Sequence, residues 1–149
     1  MKIGYSVVDI TPPLGVELCG YGYFLERKAE RIMDRLYARA VSLQQGEKTM
    51  LLINSDLIGF TREFSDDMKS HLSQELGLDK THIMMPCTHT HTGPATSVLV
   101  GCGEVDDTYV ASLHSLLIQA GRQAFESKRE TREIKYFNVP IEPVGFNRV

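Results

Sequence analysis

Residues 48–92 read KTMLLINSDLIGFTREFSDDMKSHLSQELGLDKTHIMMPCTHTHT, and the succession of hydrophobic periods along this stretch decides the fold. Residues 48–53 form a continuous apolar run, as expected of a buried strand, which ends in the polar trio Asn54-Ser55-Asp56. Phe64, Met68, Leu72 and Leu76 then recur every four residues. That spacing predicts an amphipathic helix over 61–76, with Thr61 as N-cap and Gly77 as the stop. A second apolar run, Ile83-Met84-Met85-Pro86-Cys87, leads into Thr88-His89-Thr90-His91-Thr92-Gly93-Pro94. Strand, helix and strand at this spacing predict a right-handed parallel crossover.

Upstream, residues 2–9 alternate loosely and are rich in β-branched types, so they read as a strand, closed by Thr11-Pro12-Pro13-Leu14-Gly15. A loop containing Cys19-Gly20-Tyr21-Gly22-Tyr23 follows, too long for a simple turn, and residues 29–35 read as a short helix or an irregular segment. Residues 36–44 alternate again, with Leu36, Ala38, Ala40 and Ser42 on one face and Tyr37, Arg39, Val41 and Leu43 on the other. Gln45-Gly46-Glu47 turns this strand back onto the next. Downstream, Asp106 or Asp107 caps a longer helix running to about Ser127, whose apolar stripe is Tyr109, Leu113, Leu116, Leu117, Ala120 and Ala124. Residues 132–141 read as a last strand. The fold class expected is α/β: a mixed β-sheet with helices packed on it in layers.

The 149 residues suffice for one domain with a real core. The net charge of −3 is scattered without a basic stripe, which argues against a nucleic-acid partner. No apolar stretch reaches the length of a membrane span. The N-terminus shows no long apolar h-region, so a cytoplasmic location is expected. Three cysteines without CxxC spacing argue against a disulfide framework and favour a reducing compartment. Cys102, between Gly101 and Gly103, reads as a small residue in a tight turn.

The chemistry gathers at the histidines. If the strand from residue 83 continues into the motif, His89 and His91 point one way and the threonines the other. Two imidazoles at a strand end make the start of a metal site, since neutral imidazole nitrogen is a good zinc ligand. Gly93-Pro94 turns the chain away and leaves room for substrate or further ligands. Cys87 is in phase with both histidines and reads either as a third ligand or as a small buried residue beneath them. Asp56, at a neighbouring strand end, reads equally as a site residue or as a turn cap. Arg39, within a strand, needs a carboxylate partner or water. Tyr21 and Tyr23 are candidates to line a pocket, or loop anchors. His71, His82 and His114 read as non-ligands.

Taken in order, these motifs resemble those of the neutral ceramidase family, the neutral/alkaline non-lysosomal ceramidases and their shorter bacterial relatives. Val7-Val8-Asp9-Ile10-Thr11-Pro12 resembles the family's opening "ADIT" strand, and Cys19-Gly20-Tyr21-Gly22 its "GY" loop. Residues 34–41 resemble "HDPLYARALV", Ser55-Asp56 the "SAD" strand end, residues 88–94 "THTHSGP", and Gly145-Phe146-Asn147-Arg148 the "NR" segment. The resemblance implies that residues 1–149 are the N-terminal portion of a larger ceramidase-like catalytic domain. It implies a zinc-dependent hydrolase of N-acyl amide bonds, acting on a small-molecule or lipid-like substrate. By position it makes His89 a zinc ligand, His91 a neighbouring active-site histidine and Arg148 an arginine facing substrate or oxyanion. The remaining ligands in the family, a histidine, a glutamate and a tyrosine, come from later sequence. Arg35 stands where the family often has proline, and Met33 where it often has histidine. Two other readings remain: a non-catalytic α/β structural or interaction module of the same fold, and a thiol hydrolase built on Cys87 or Cys102.

Overall fold

A computed structural model describes residues 1–23, 25–143 and 145. Strand β1 is Lys2–Asp9, β2 Tyr37–Gln45 and β3 Lys48–Ser55; helix α1 is Arg62–Leu76, β4 Ile83–Met84, α2 Asp107–Glu126 and β5 Arg129–Glu130. The sheet runs β4-β3-β2-β1-β5. Every neighbouring pair is antiparallel except β3 and β4, so the sheet is mixed. The expected parallel return after α1 is the β3–β4 pair, with Leu51 opposite Ile83.

Both long helices form where their sequence periods place them. Thr61 caps α1 by accepting from the Phe64 amide at 3.1 Å, and Gly77 ends it in the left-handed conformation, φ 66°. Asp106 caps α2 by accepting from the Tyr109 amide at 2.8 Å. The apolar stripe of α2 packs across β1, β2 and β3, and α1 adds Met68 and Leu72 to the same core. Inward positions of the strands alternate as period two requires: Ser6 and Val8, then Ala38, Ala40 and Ser42, then Leu51 and Ile53. The small residues at 38, 40 and 42 let α2 lie close to the sheet. Two polar ties fix its position, Ser6 Oγ donating to the Ala120 carbonyl at 2.7 Å and the Tyr109 hydroxyl to the Ile10 carbonyl at 2.6 Å. Burial raises the Tyr109 phenol above its ordinary pKa, so it remains a donor.

Leu117 is fully buried where α2 crosses the sheet. Leu117→Ala is expected to cost about 2–5 kcal/mol through lost burial and the cavity left behind. Urea unfolding measures this directly; a change below about 0.5 kcal/mol, the range of ordinary surface substitutions, would place Leu117 outside the core.

Two expectations require correction. First, β3 is not buried on both sides. Its burial alternates, and Met50 and Leu52 share an open sheet face with Tyr5, Val7, Leu43 and Met84. The continuous apolar run hid this alternation, because both faces carry hydrophobic residues. Second, residues 132–141 form no strand; the last one is the two-residue β5, paired to β1 through Lys2 and Ile3. Ile134, Tyr136, Phe137, Val139 and Ile141 are exposed. Strand propensity expresses how well side chains fit a half-buried pleated surface, and these residues have no such surface to fit. Residues 29–35 are irregular, without the short helix.

Candidate functional site

The site forms where the chain leaving β4 continues along the carboxyl end of β3. Cys87 bridges Ser55 in parallel, the Thr88 amide donates to the Ser55 carbonyl at 3.0 Å, and the His89 amide donates to the Leu57 carbonyl at 3.0 Å. Extended geometry ends at His89, which is left-handed at φ 59°. The premise that strand alternation aims His89 and His91 together is therefore wrong, since β4 stops at Met84. The two rings nevertheless meet, centroid to centroid at 4.9 Å and inclined at 72°. A left-handed residue reverses the chain sharply enough to bring i and i+2 side by side.

His89 is held at both ends. Its Nδ1 lies 2.7 Å from the Ile58 carbonyl oxygen. A carbonyl only accepts, so Nδ1 carries the proton, and in the neutral ring Nε2 keeps its lone pair. This is the second-sphere arrangement that orients metal-binding imidazoles. A non-glycine residue at positive φ costs of order 1–3 kcal/mol and persists only where its surroundings impose it. Here the Leu57 and Ile58 carbonyls do so.

His91 is positioned by the loop after β1. The Cys19 amide donates to the Gly93 carbonyl at 2.9 Å, the Ala95 amide to the Glu17 carbonyl at 3.0 Å, and Leu18 bridges Pro94. These contacts lay Gly20 directly on His91. A Cβ at position 20, where φ is 118°, would stand 2.4 Å from His91 Cα. The Tyr21 ring meets the His91 ring edge-on at 5.7 Å. Tyr21 therefore belongs to the site, whereas Tyr23 is fully solvated. Thr90, Thr92 and Gly93 line a cleft of about 690 Å³ together with Arg27, Met33 and Leu36.

The remaining sequence candidates divide clearly. The Asp56 carboxylate is the cap of the β3 terminus: it accepts from the Tyr37 amide at 3.0 Å and from Arg39 at 2.6 Å, which also supplies the partner that Arg39 requires. Cys87 is half-buried against the main core, and burial pushes its thiol up to about 12. Among the described residues no group of three or more histidine, cysteine or acidic side chains is placed to hold a metal ion, so Cys87 does not complete a Cys-His-His set. His114 is paired with Asp67 at 3.0 Å, His71 lies 3.7 Å from Glu75, and His82 sits in a short helical turn. Arg148 lies outside the described residues. Sequence reading missed the Ile58 carbonyl and Arg27; the only signal toward the His91 seat was the glycine at 20.

A thiol at about 12 leaves a thiolate fraction at pH 8 on the order of 10³ below that of an ordinary cysteine. Native alkylation of Cys87 by iodoacetamide is therefore expected to be at least about 10²-fold slower than in the urea-unfolded chain. Peptide mass spectrometry reads this. Equal rates in the two states would restore Cys87 as a nucleophile.

Comparison with known proteins adds the following. Residues 1–106 match the family profile described as neutral/alkaline non-lysosomal ceramidase, N-terminal. No curated protein matches the sequence. The neutral ceramidase from Pseudomonas aeruginosa superposes with a TM-score of 0.74 at 20% identity, covering 86% of this chain and 22% of that one. A ceramidase complexed with C2 superposes at 0.73 and 18% identity, covering 86% and 21%. At such identities the likeness is one of fold. The chain spans about a fifth of the length of these two structures. Among the described residues no helix is long and apolar enough to cross a membrane.

Proposed function

Because this chain belongs to the neutral/alkaline non-lysosomal ceramidase family, we propose that it contributes a zinc ligand, His89, and an active-site histidine, His91, to a hydrolase of N-acyl amide bonds with a lipid-like substrate. The observation that carries the reading is the His89 ring: its Nδ1 proton is committed to the Ile58 carbonyl, which leaves Nε2 its lone pair, and the ring stands 4.9 Å from a second imidazole, centroid to centroid. That donor chemistry fits a borderline-soft divalent cation such as zinc. His89 alone falls short of the three protein ligands that catalytic zinc takes. The proposal therefore assigns the others to polypeptide beyond these 149 residues, with this chain as the N-terminal portion of the catalytic domain.

Zinc, when bound, supplies Lewis acidity to an amide carbonyl and to water. The chain's own residues do the rest. His89 is fixed in tautomer and direction by Ile58. His91, with Tyr21 against its ring, is assigned the donation of a proton to the developing oxyanion or to the leaving amine. Arg148 is assigned, through its motif, to the negative charge of the tetrahedral intermediate.

The test is elemental analysis of the natural full-length protein together with an assay on N-acyl sphingoid and simple N-acyl amine substrates. About one zinc per chain is expected, with release of free amine. Metal-free protein without amidase activity would return the chain to the reading of a structural α/β module.

A further inference from the structure

We propose that Arg27 is a positioning residue for His91, an inference that rests on the functional reading above and extends it to a residue outside every motif quoted from the sequence. The Arg27 Nη2 donates to two backbone carbonyls at once, Cys19 at 3.0 Å and His91 at 3.2 Å. Its guanidinium also lies over the Tyr21 ring, 4.9 Å from the centroid, and that ring meets His91 edge-on. The Nε is buried and has no hydrogen-bond partner among the described residues. A guanidinium that accepts this loss is held by its stacking and by the two carbonyls on its Nη2 rather than by solvent.

Arg27 thereby closes a ring of contacts. Its Nη2 ties the loop bearing Gly20 and Tyr21 to the turn bearing His91, 64 positions away. Its charge holds Tyr21 face-on while Tyr21 holds His91 from the side. His89, by contrast, is fixed from the β3 side through Leu57 and Ile58. The two histidines are thus seated by separate elements, and the 4.9 Å between their rings is set by the joint that Arg27 makes. Lysine is a compact ammonium that can reach both carbonyls from one nitrogen, but it lacks the planar guanidinium face that stacks on Tyr21.

The NOE between the Tyr21 and His91 rings in the 149-residue chain reads this joint without any activity assay. Arg27→Met is expected to abolish that NOE and to speed amide hydrogen exchange at residues 19 and 95, whose amides pair with the Gly93 and Glu17 carbonyls, at least about tenfold, with the thermal midpoint nearly unchanged. Unaltered NOE and exchange overturn the proposal. Should Arg27→Met lower the midpoint of the whole chain, Arg27→Lys decides. A weakened NOE at an unshifted midpoint supports the proposal, and wild-type values overturn it. In the natural full-length protein, Arg27→Met is expected to lower kcat about tenfold with KM within about twofold and zinc content unchanged. Zinc lost in step with activity would make Arg27 a structural support and overturn the positioning role. A wild-type protein without amidase activity overturns the functional reading alone, and the NOE still judges Arg27.

Discussion

In the natural full-length protein, His89→Ala is expected to reduce zinc from about one per chain to a small fraction and to lower kcat by at least about 10³-fold, because a catalytic zinc site has few ligands to lose. The substitution has a second cost that must be separated from the first. Position 89 is left-handed at φ 59°, a strain of about 1–2 kcal/mol that histidine already carries and that alanine keeps without a side-chain bond to offset it. The hydrogen bond to Ile58 is lost as well. His89→Asn separates the two effects. Asparagine tolerates the left-handed region, and its amide can donate to the Ile58 carbonyl, but it offers nothing in place of Nε2. Equal zinc loss in both variants, with the smaller drop in thermal midpoint for asparagine, is the expected pattern. Zinc retained at wild-type stoichiometry in either variant would remove His89 from the ligand set.

Gly20→Ala is expected to separate metal from turnover. The added Cβ would stand 2.4 Å from His91 Cα and 2.6 Å from His91 Cβ, at a φ of 118° that L side chains rarely adopt. Backbone strain and overlap together are expected to cost about 2–4 kcal/mol. Part of that cost is relieved by displacing His91 from its seat. Because His89 is seated from β3 rather than from this loop, zinc content should hold while kcat falls by on the order of 10²-fold, the penalty of misplacing a reacting group by about 1 Å. Elemental analysis, thermal unfolding and kinetics on one preparation give the three numbers. A stable, fully active Gly20→Ala protein would show that the loop does not bear on His91.

How much of the site could be read in advance depends on where its contacts come from. His89 and His91 are two positions apart, so proximity was legible even though the alternation used to argue it does not hold. Asp56 was legible as a strand-end residue, but its choice between cap and site was settled by Arg39 and the Tyr37 amide arriving from β2. The Ile58 carbonyl, which sets the His89 tautomer, lies 31 positions away and carries no sequence signature, because every residue has a carbonyl. Arg27 is one charged residue among several in residues 26–35, and no local pattern sets it apart.

The helices and their caps, the alternation of β1 and β2, and the parallel return after α1 were written in the chain itself. They arise from periods and capping groups that act within a few residues. Packing decided the rest. It chose which face of β3 receives the helices, since both faces carry apolar side chains, and it left residues 132–141 without a strand to pair with. It also turned His89 into the left-handed region, because carbonyls brought alongside from the end of β3 supply hydrogen bonds that an isolated Thr-His-Thr-His segment does not have.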